Sequence, residues 1–205
     1  MVKRIARLFS IALAAVAIAG CGTSAPARFY TLVPTADPVG VPAANYAVSV
    51  GPVTIPALVD CPQIVVQLAP NQVAFDEFNR WAGPLDDIIA RAVAADLAVL
   101  LGTPRVARSP LANFNPDYRV TIDIQRFESV PGESVRVEAV WAARASAQKE
   151  TRSGRTVARE PVQGKSFDAL AAAHSRALAK VSSDIAAAIR AEAGKHSSEE
   201  TIDLK

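Results

Sequence analysis

Few side chains in this sequence could act as nucleophiles or bind a metal, and they are far apart. There are two cysteines, Cys21 and Cys61, and two histidines, His174 and His196. Zinc sites are built from cysteine and histidine ligands at short, regular spacing, which is absent here. The sequence also lacks a glycine-rich phosphate loop and a Gly-x-Ser-x-Gly nucleophile motif. We therefore predict no metal site, no cofactor and no enzymatic activity.

The composition points to one folded domain without a nucleic-acid surface. Half of the 205 residues are apolar, which is enough to build a hydrophobic core. The 22 basic and 20 acidic residues nearly balance. Nucleic-acid-binding domains usually carry a concentrated basic excess, so we expect no nucleic-acid partner.

The chemistry of Cys21 follows from the residues before it. Lys3, Arg4 and Arg7 precede an apolar run from Leu8 to Ala19. Twelve residues rise about 18 Å as a helix, too short to cross a hydrocarbon core of about 30 Å. This arrangement is typical of a signal peptide, predicted over residues 1–20. Cys21 would then be the first residue of the mature chain.

The four residues Ile18-Ala19-Gly20-Cys21 resemble the lipobox of bacterial lipoproteins. That resemblance implies cleavage before Cys21 and acylation of its thiol and amine, which anchors the protein in a membrane. Removal of the first 20 residues leaves 185 with 19 basic and 20 acidic side chains, a net charge of −1. Gly22 stands where inner-membrane retention signals have Asp, which favours the periplasmic face of the outer membrane. Residues 21–27 are predicted to be a tether.

Cys61 is the second thiol, and two interpretations are open. Oxidising compartments favour disulfides, so an intermolecular disulfide or a reactive thiol is one of them. The favoured alternative is a small, buried apolar side chain, because nothing nearby would activate a thiolate.

The apolar patterns predict an α+β fold, an antiparallel sheet with two helices packed on one face of a single domain. Pro84 and Gly102 bracket a helix with an apolar stripe, and Ser166 begins a second helix that ends at Gly194. Phe127 breaks the alternation of the strand from Tyr118, which predicts a bulge near Arg126. The domain is expected to span residues 28–194, and residues 195–205 are expected to be a disordered tail. The predicted strands lie at 28–32, 46–50, 63–68, 72–78, 118–125, 135–141 and 156–162, with turns at Pro131-Gly132 and Gly154.

A sparse basic cluster lies near the third strand of the predicted meander. It contains Arg152, Arg155 and Arg159. The favoured interpretation is a solvated hairpin, and the alternative is contact with anionic headgroups or an acidic partner.

The segment from Pro52 to Pro62 contains three prolines in eleven residues. Proline sets φ and removes a donor, so this segment should be rigid, extended and unable to form a central strand. Its apolar side chains either cover the sheet edge and core or form a docking surface for another protein. The candidate partner-binding residues are Pro52, Val53, Ile55, Pro56, Leu58, Val59 and Asp60.

Two motifs carry a resemblance to a known family. The first is Val50-Gly51-Pro52-Val53-Thr54-Ile55-Pro56 with Leu58-Val59-Asp60-Cys61-Pro62-Gln63-Ile64-Val65, and the second is Arg80-Trp81-Ala82-Gly83-Pro84-Leu85. With the Phe-Tyr-Thr-Leu after Cys21, they resemble the ABC-type transport auxiliary lipoprotein component family (PqiC/YmbA-like). Cys61 departs from the family pattern, which often has arginine there.

That resemblance implies an accessory subunit of an intermembrane lipid transport system. The expected partners are the membrane, through the lipid on Cys21, and an MCE-domain protein that works with an ABC transporter. The alternative is an outer-membrane lipoprotein that binds and regulates a periplasmic cell-envelope enzyme. Whether the chain forms a homo-oligomeric ring is open at this stage.

Overall fold

The computed structural model describes residues 25–40, 42–146 and 151–203, with side chains described as far as residue 195. The predicted signal peptide, Cys21 and Gly22 lie outside the described residues. The two helices are α1 (Leu85–Leu101) and α2 (Phe167–Asp203). The strands are β1 (Arg28–Tyr30), β2 (Val48–Thr54), β3 (Gln63–Ala69), β4 (Gln72–Trp81), β5 (Val106–Arg108), β6 (Tyr118–Val130), β7 (Ser134–Ala145) and β8 (Thr151–Pro161).

The strands form two sheets, where the sequence predicted one. The larger sheet has the order β5-β2-β6-β7-β8, and the smaller has the order β1-β4-β3. The expected antiparallel meander is present as β6, β7 and β8. The α+β class and the single domain are confirmed, but the expectation of one antiparallel sheet is wrong. β2 runs parallel to both β5 and β6, and β1 runs parallel to β4. Strand direction depends on long connections that the local pattern does not record.

Both helices pack against the larger sheet and against each other. α1 ends at Gly102, which has a left-handed φ of 64° and donates its N–H to the carbonyl of Val99. Ser166 caps α2, because its Oγ accepts the N–H of Ala169 at 3.1 Å. The left-handed Gly102 and the Ser166 cap confirm two predicted helix signals. All eight positions of the α1 stripe are buried: Leu85, Ile88, Ile89, Ala92, Val93, Leu97, Leu100 and Leu101.

Two predicted boundaries are wrong. α2 continues through Gly194 to Asp203, because Gly194 does not adopt a left-handed φ and the polar residues after it keep the helical conformation. The tail expected to be disordered from residue 195 is therefore helical as far as 203. Gly154, expected in a turn, lies inside β8 opposite Trp141. A Cβ there would lie 2.4 Å from Cζ2 of Trp141, so the indole requires glycine at this position.

The bulge in β6 is confirmed. Ile124 pairs with Ala139 and Arg126 with Glu138, which leaves Gln125 as the extra residue. The bulge shifts the alternation by one, so Phe127 points into the core instead of toward solvent. Within the described part of the chain, no helix is long and apolar enough to cross a membrane.

Candidate functional site

The proline-rich segment begins at the end of β2, where this strand has a partner on one side only, as expected for a segment that cannot form a central strand. β2 continues through Pro52 to Thr54, but its pairing with β5 ends at Val50, so this last part pairs with β6 alone. Its pairing with β6 shifts between Val50 and Val53, so Pro52 occupies an irregularity where no ladder donor is needed. The peptide bond between Gly51 and Pro52 is cis.

After β2 the segment turns sharply and separates its side chains into two groups. The N–H of Val59 donates to the carbonyl of Pro56 at 3.0 Å. Val59 is buried in the core, whereas Leu58 is 50% exposed. Val53 and Ile55 are half-buried against the core. Both alternatives left open by the sequence are thus represented: Val53, Ile55 and Val59 contact the core, and Leu58 is exposed.

The two family-like motifs meet where β3 begins and β4 ends, with Gln63 opposite Arg80. The N–H of Trp81 donates to the carbonyl of Pro62 at 2.8 Å. This bond joins the end of the proline-rich segment to the end of β4, just before α1 begins. An open cavity of about 350 Å³ lies at this junction, here called the motif cavity. Its lining residues are Asp60, Cys61, Pro62, Trp81, Gly83, Pro84 and Leu85.

A second open cavity of about 350 Å³ borders the same segment and is here called the Leu58 cavity. Leu58 and Val59 form one side, and the hairpin of β3 and β4 forms another through Val65 and Val73. The other lining residues are Phe127, Glu128 and Ser129 of β6 and Gln67, Pro70, Asn71 and Gln72 of the hairpin. The sequence did not indicate that the hairpin would face this segment, although the phase break at Phe127 was visible in the pattern.

The two cavities share an aromatic floor. Trp81 lies beneath the motif cavity and Phe127 beneath the Leu58 cavity, with ring centroids 6.0 Å apart and planes at 72°. His174 of α2 stacks on Phe127 at 3.9 Å. Edge-to-face and stacked rings pack tightly and hold their geometry. The floor is therefore rigid, and Trp81 is buried in the core.

Cys61, the thiol that lines the motif cavity, is a poor nucleophile. Burial raises the pKa of the Cys61 thiol, and its Sγ lies 3.6 Å from the carbonyl oxygen of Gln63. A thiol with a raised pKa stays protonated at neutral pH and is a weak nucleophile. The structure thus favours the small apolar interpretation of Cys61. Concave apolar walls with a rigid floor suit an apolar side chain or hydrocarbon segment.

The basic cluster on β8 is paired with acids. The guanidinium of Arg152 contacts Glu192 at 2.5 Å, and that of Arg159 lies 3.5 Å from Glu133. Arg155 donates to Glu138, and this bond holds the pKa of Glu138 below its usual value. The cluster is therefore not an isolated positive patch, in agreement with the favoured interpretation of a solvated hairpin.

The sequence model for ABC-type transport auxiliary lipoprotein components matches residues 30–186. The chain belongs to this family. Both motifs and both cavities lie within the matched range. The family is one of transport components rather than enzymes, and its members are lipoproteins of the cell envelope.

Two solved structures have the same fold as this family member. Protein XCC0632 from Xanthomonas campestris has a TM-score of 0.66 at 21% identity, covering 84% of this chain and 99% of that one. A second, described only as an uncharacterized protein, has a TM-score of 0.66 at 21% identity and covers 80% and 99%. At this identity the likeness shows the fold alone. No curated protein sequence matches the chain.

Proposed function

We propose that this chain is an outer-membrane lipoprotein, anchored by acyl groups on Cys21 and facing the periplasm. In this proposal it is a non-enzymatic accessory subunit of an intermembrane lipid transport system. Its partner is the MCE-domain protein of an ABC transporter. Its mechanism is positional: the lipid holds the domain on the membrane, and a protein surface receives the partner.

One observation supports the placement of the docking surface above others. Both family motifs, about twenty residues apart in sequence, converge at the bond between Trp81 and Pro62 and border the motif cavity. The same segment borders the Leu58 cavity on its other side. Motif residues that line an open cavity are better placed for recognition than motif residues buried in a core.

Leu58 is the side chain best placed to contact a partner. It stands half-exposed on a turn braced by Pro56 and by buried Val59. A rigid apolar side chain loses little conformational entropy on binding, which favours a tight contact. Pro52 and Asp60 are exposed along the same segment and would flank that contact.

A pair of charge substitutions tests this surface. Leu58→Glu should leave the free energy of unfolding, measured with urea, within about 0.5 kcal/mol of wild type, because exposed positions tolerate substitution. It should reduce capture of the MCE-domain protein about tenfold or more, the effect of losing one apolar hot spot. Leu111→Glu is the matched control, since Leu111 is equally exposed but lies before β6, apart from both cavities. The experiment uses the full-length chain extracted from membranes. Mass spectrometry identifies the partners that are captured with it.

The alternatives give different results in this experiment. Unfolding of Leu58→Glu would show that the segment is a structural strap. Normal folding with normal capture would remove Leu58 from the docking surface. Capture of a periplasmic enzyme instead of an MCE-domain protein would support the regulatory alternative.

A further inference from the structure

Exposed aromatic side chains cluster at the start of the folded domain, close in sequence to the proposed anchor. Phe29 on β1 is 65% exposed, and Phe78 on β4 is 47% exposed. β1 pairs with the end of β4, with Arg28 opposite Asn79 and Phe29 opposite Arg80. Phe78 directly precedes this paired stretch. Phe29, Phe78 and Arg80 are here called the anchor-proximal patch.

The orientation of β1 is fixed from its other face. The hydroxyl of Tyr30 donates to Oδ1 of Asn79 at 2.9 Å, and its ring packs against Phe167. The N–H of Ala82 donates to the carbonyl of Tyr30. Because Tyr30 points into the domain, its neighbour Phe29 points away from it. β1 is therefore part of the folded body, and Phe29 is presented outward by a rigid support.

The loop after β1 is tied down as firmly. Asp96 of α1 is buried, and its Oδ1 accepts the N–H groups of Thr35 and Ala36 at 2.9 and 3.0 Å. Ser175 of α2 accepts the N–H of Val33. A membrane anchor upstream of β1 would thus act on the whole domain, because the chain is fixed to both helices from this point on.

The distance from the anchor to the patch is short. Cys21 precedes Phe29 by eight residues. A fully extended chain spans at most about 3.6 Å per residue, so Phe29 lies within about 29 Å of the Cys21 Cα. If Cys21 is acylated, as the proposed function requires, the end of the domain that carries β1 stays within about 29 Å of the anchor. β3, at the other edge of the smaller sheet, is not held close to the anchor in this way.

We propose that the anchor-proximal patch lies in the membrane interface, as a second contact with lipid beside the acyl groups of Cys21. Phenylalanine rings enter the boundary between headgroups and acyl chains, and arginine keeps its charge at the headgroup level. Arg28 is exposed and has no ion pair among the described residues. The guanidinium of Arg80 donates to the carbonyl of Glu77 at 3.0 Å and lies 3.6 Å from its carboxylate, and the side chain remains 36% exposed. Both cations are available to anionic headgroups. This contact fixes the orientation of the domain, so the proline-rich segment is presented in one direction.

Brominated lipids can test this orientation on the full acylated chain. Phe29→Trp and Phe78→Trp each add an indole to the patch, and both positions are exposed enough to accept it. Val157→Trp is the control, because Val157 is 55% exposed on the outer face of β8. Each variant is reconstituted in phosphatidylethanolamine and phosphatidylglycerol vesicles, with and without bromine on the acyl chains. Emission of the wild type, from Trp81 and Trp141, is subtracted.

Bromine should reduce the added emission of both patch variants about twofold or more, since interfacial side chains lie about 5–10 Å deep. The added emission of Val157→Trp should not change. Unquenched patch variants on vesicles that carry the protein would overturn this inference and leave the proposed function intact. A concentration-dependent blue shift without quenching would overturn it in favour of self-association. Absence of both flotation and Cys21 acylation, measured by mass spectrometry, would overturn the proposed function and the orientation together.

Discussion

The imidazole of His174 lies flat on the phenyl ring of Phe127, with centroids 3.9 Å apart and planes 6° from parallel. His174 is fully buried, and its Nε2 is within hydrogen-bonding distance of Ser129 Oγ at 2.8 Å. Its Nδ1 has no hydrogen-bond partner among the described residues. This stack connects α2 to the bulged end of β6, beneath the Leu58 cavity. A histidine that the sequence left without a role is therefore part of the floor of the candidate site.

The first prediction concerns acid stability. Burial lowers the pKa of His174 to about 3, against a value of about 6.5 in an unfolded chain. Below pH 6.5 the unfolded chain binds a proton that the folded protein does not. The stability from neutral His174 is thus fully present above pH 6.5 and is lost as pH falls toward 3, by at most about 1.4 kcal/mol per pH unit. Urea unfolding at several pH values measures it.

The control for this prediction is His174→Gln, which can still bond to Ser129 but does not titrate in this range. We expect it to be less stable than wild type at pH 7, and its stability should change less between pH 6.5 and pH 3. Equal pH dependence in the two proteins would show that other groups cause the loss of stability at low pH.

The second prediction concerns Cys21, which lies outside the described residues. Cys21→Ser should move the protein from the membrane fraction to the soluble periplasm, because removal of the acyl chains removes about 0.8 kcal/mol of membrane affinity per CH₂. Mass spectrometry of the mature N-terminus should find diacylglycerol and an acylated amine on wild-type Cys21. An unmodified Cys21 or a cleavage site elsewhere would contradict the lipoprotein anchor of this chain.

The third prediction concerns Asp96 and the loop that follows β1. Asp96→Ala removes the acceptor for two backbone N–H groups and should cost about 1–3 kcal/mol. Asp96→Asn keeps one oxygen acceptor and should cost less. Hydrogen exchange at Thr35 and Ala36 should accelerate in the alanine variant before global unfolding does. Unchanged exchange at both amides would show that Asp96 does not hold this loop.

The fourth prediction concerns the glycine in β8. Gly154→Ala would place a Cβ 2.4 Å from the ring of Trp141, which donates its Nε1–H to Thr156 at 3.1 Å. The ring must shift, so we expect a loss of about 1–3 kcal/mol. Gly194→Ala is the control, since it has open space in α2 and should gain about 0.5–1 kcal/mol from helix propensity. Calorimetry distinguishes them, and an unchanged melting temperature for Gly154→Ala would contradict the packing argument.

Sequence patterns predicted the features that depend on interactions between residues close together in the chain. The apolar stripe of α1, the left-handed Gly102, the Ser166 cap and the bulge before Phe127 all follow from periods and residue types within a few positions. The candidate segment itself was found in this way. Which of its apolar side chains are exposed was not predictable. Leu58 and Val59 are similar in type, and only the turn after Pro56 makes Leu58 exposed and Val59 buried.

Gly154 illustrates a different limit. In a sequence, glycine between polar residues indicates a turn as readily as it indicates close packing. The ring that requires it belongs to Trp141, on the neighbouring strand. Pro52 is a similar case, since its part of β2 pairs with β6 alone, and the irregularity that accommodates the proline depends on that pairing.

The sequence by itself determined the family, the α+β class and most helix and strand positions. It also predicts the lipobox-like leader, which lies outside the described residues. Those properties depend on contiguous residues and on periods of two or 3.6. The tertiary structure alone decided that there are two sheets, that β2 is parallel to β6, and that Pro62 and Trp81 meet at a cavity. It also placed His174 on Phe127 and turned Phe29 outward. These relationships join residues distant in the chain, and they arise because buried side chains and backbone donors must all find partners at once.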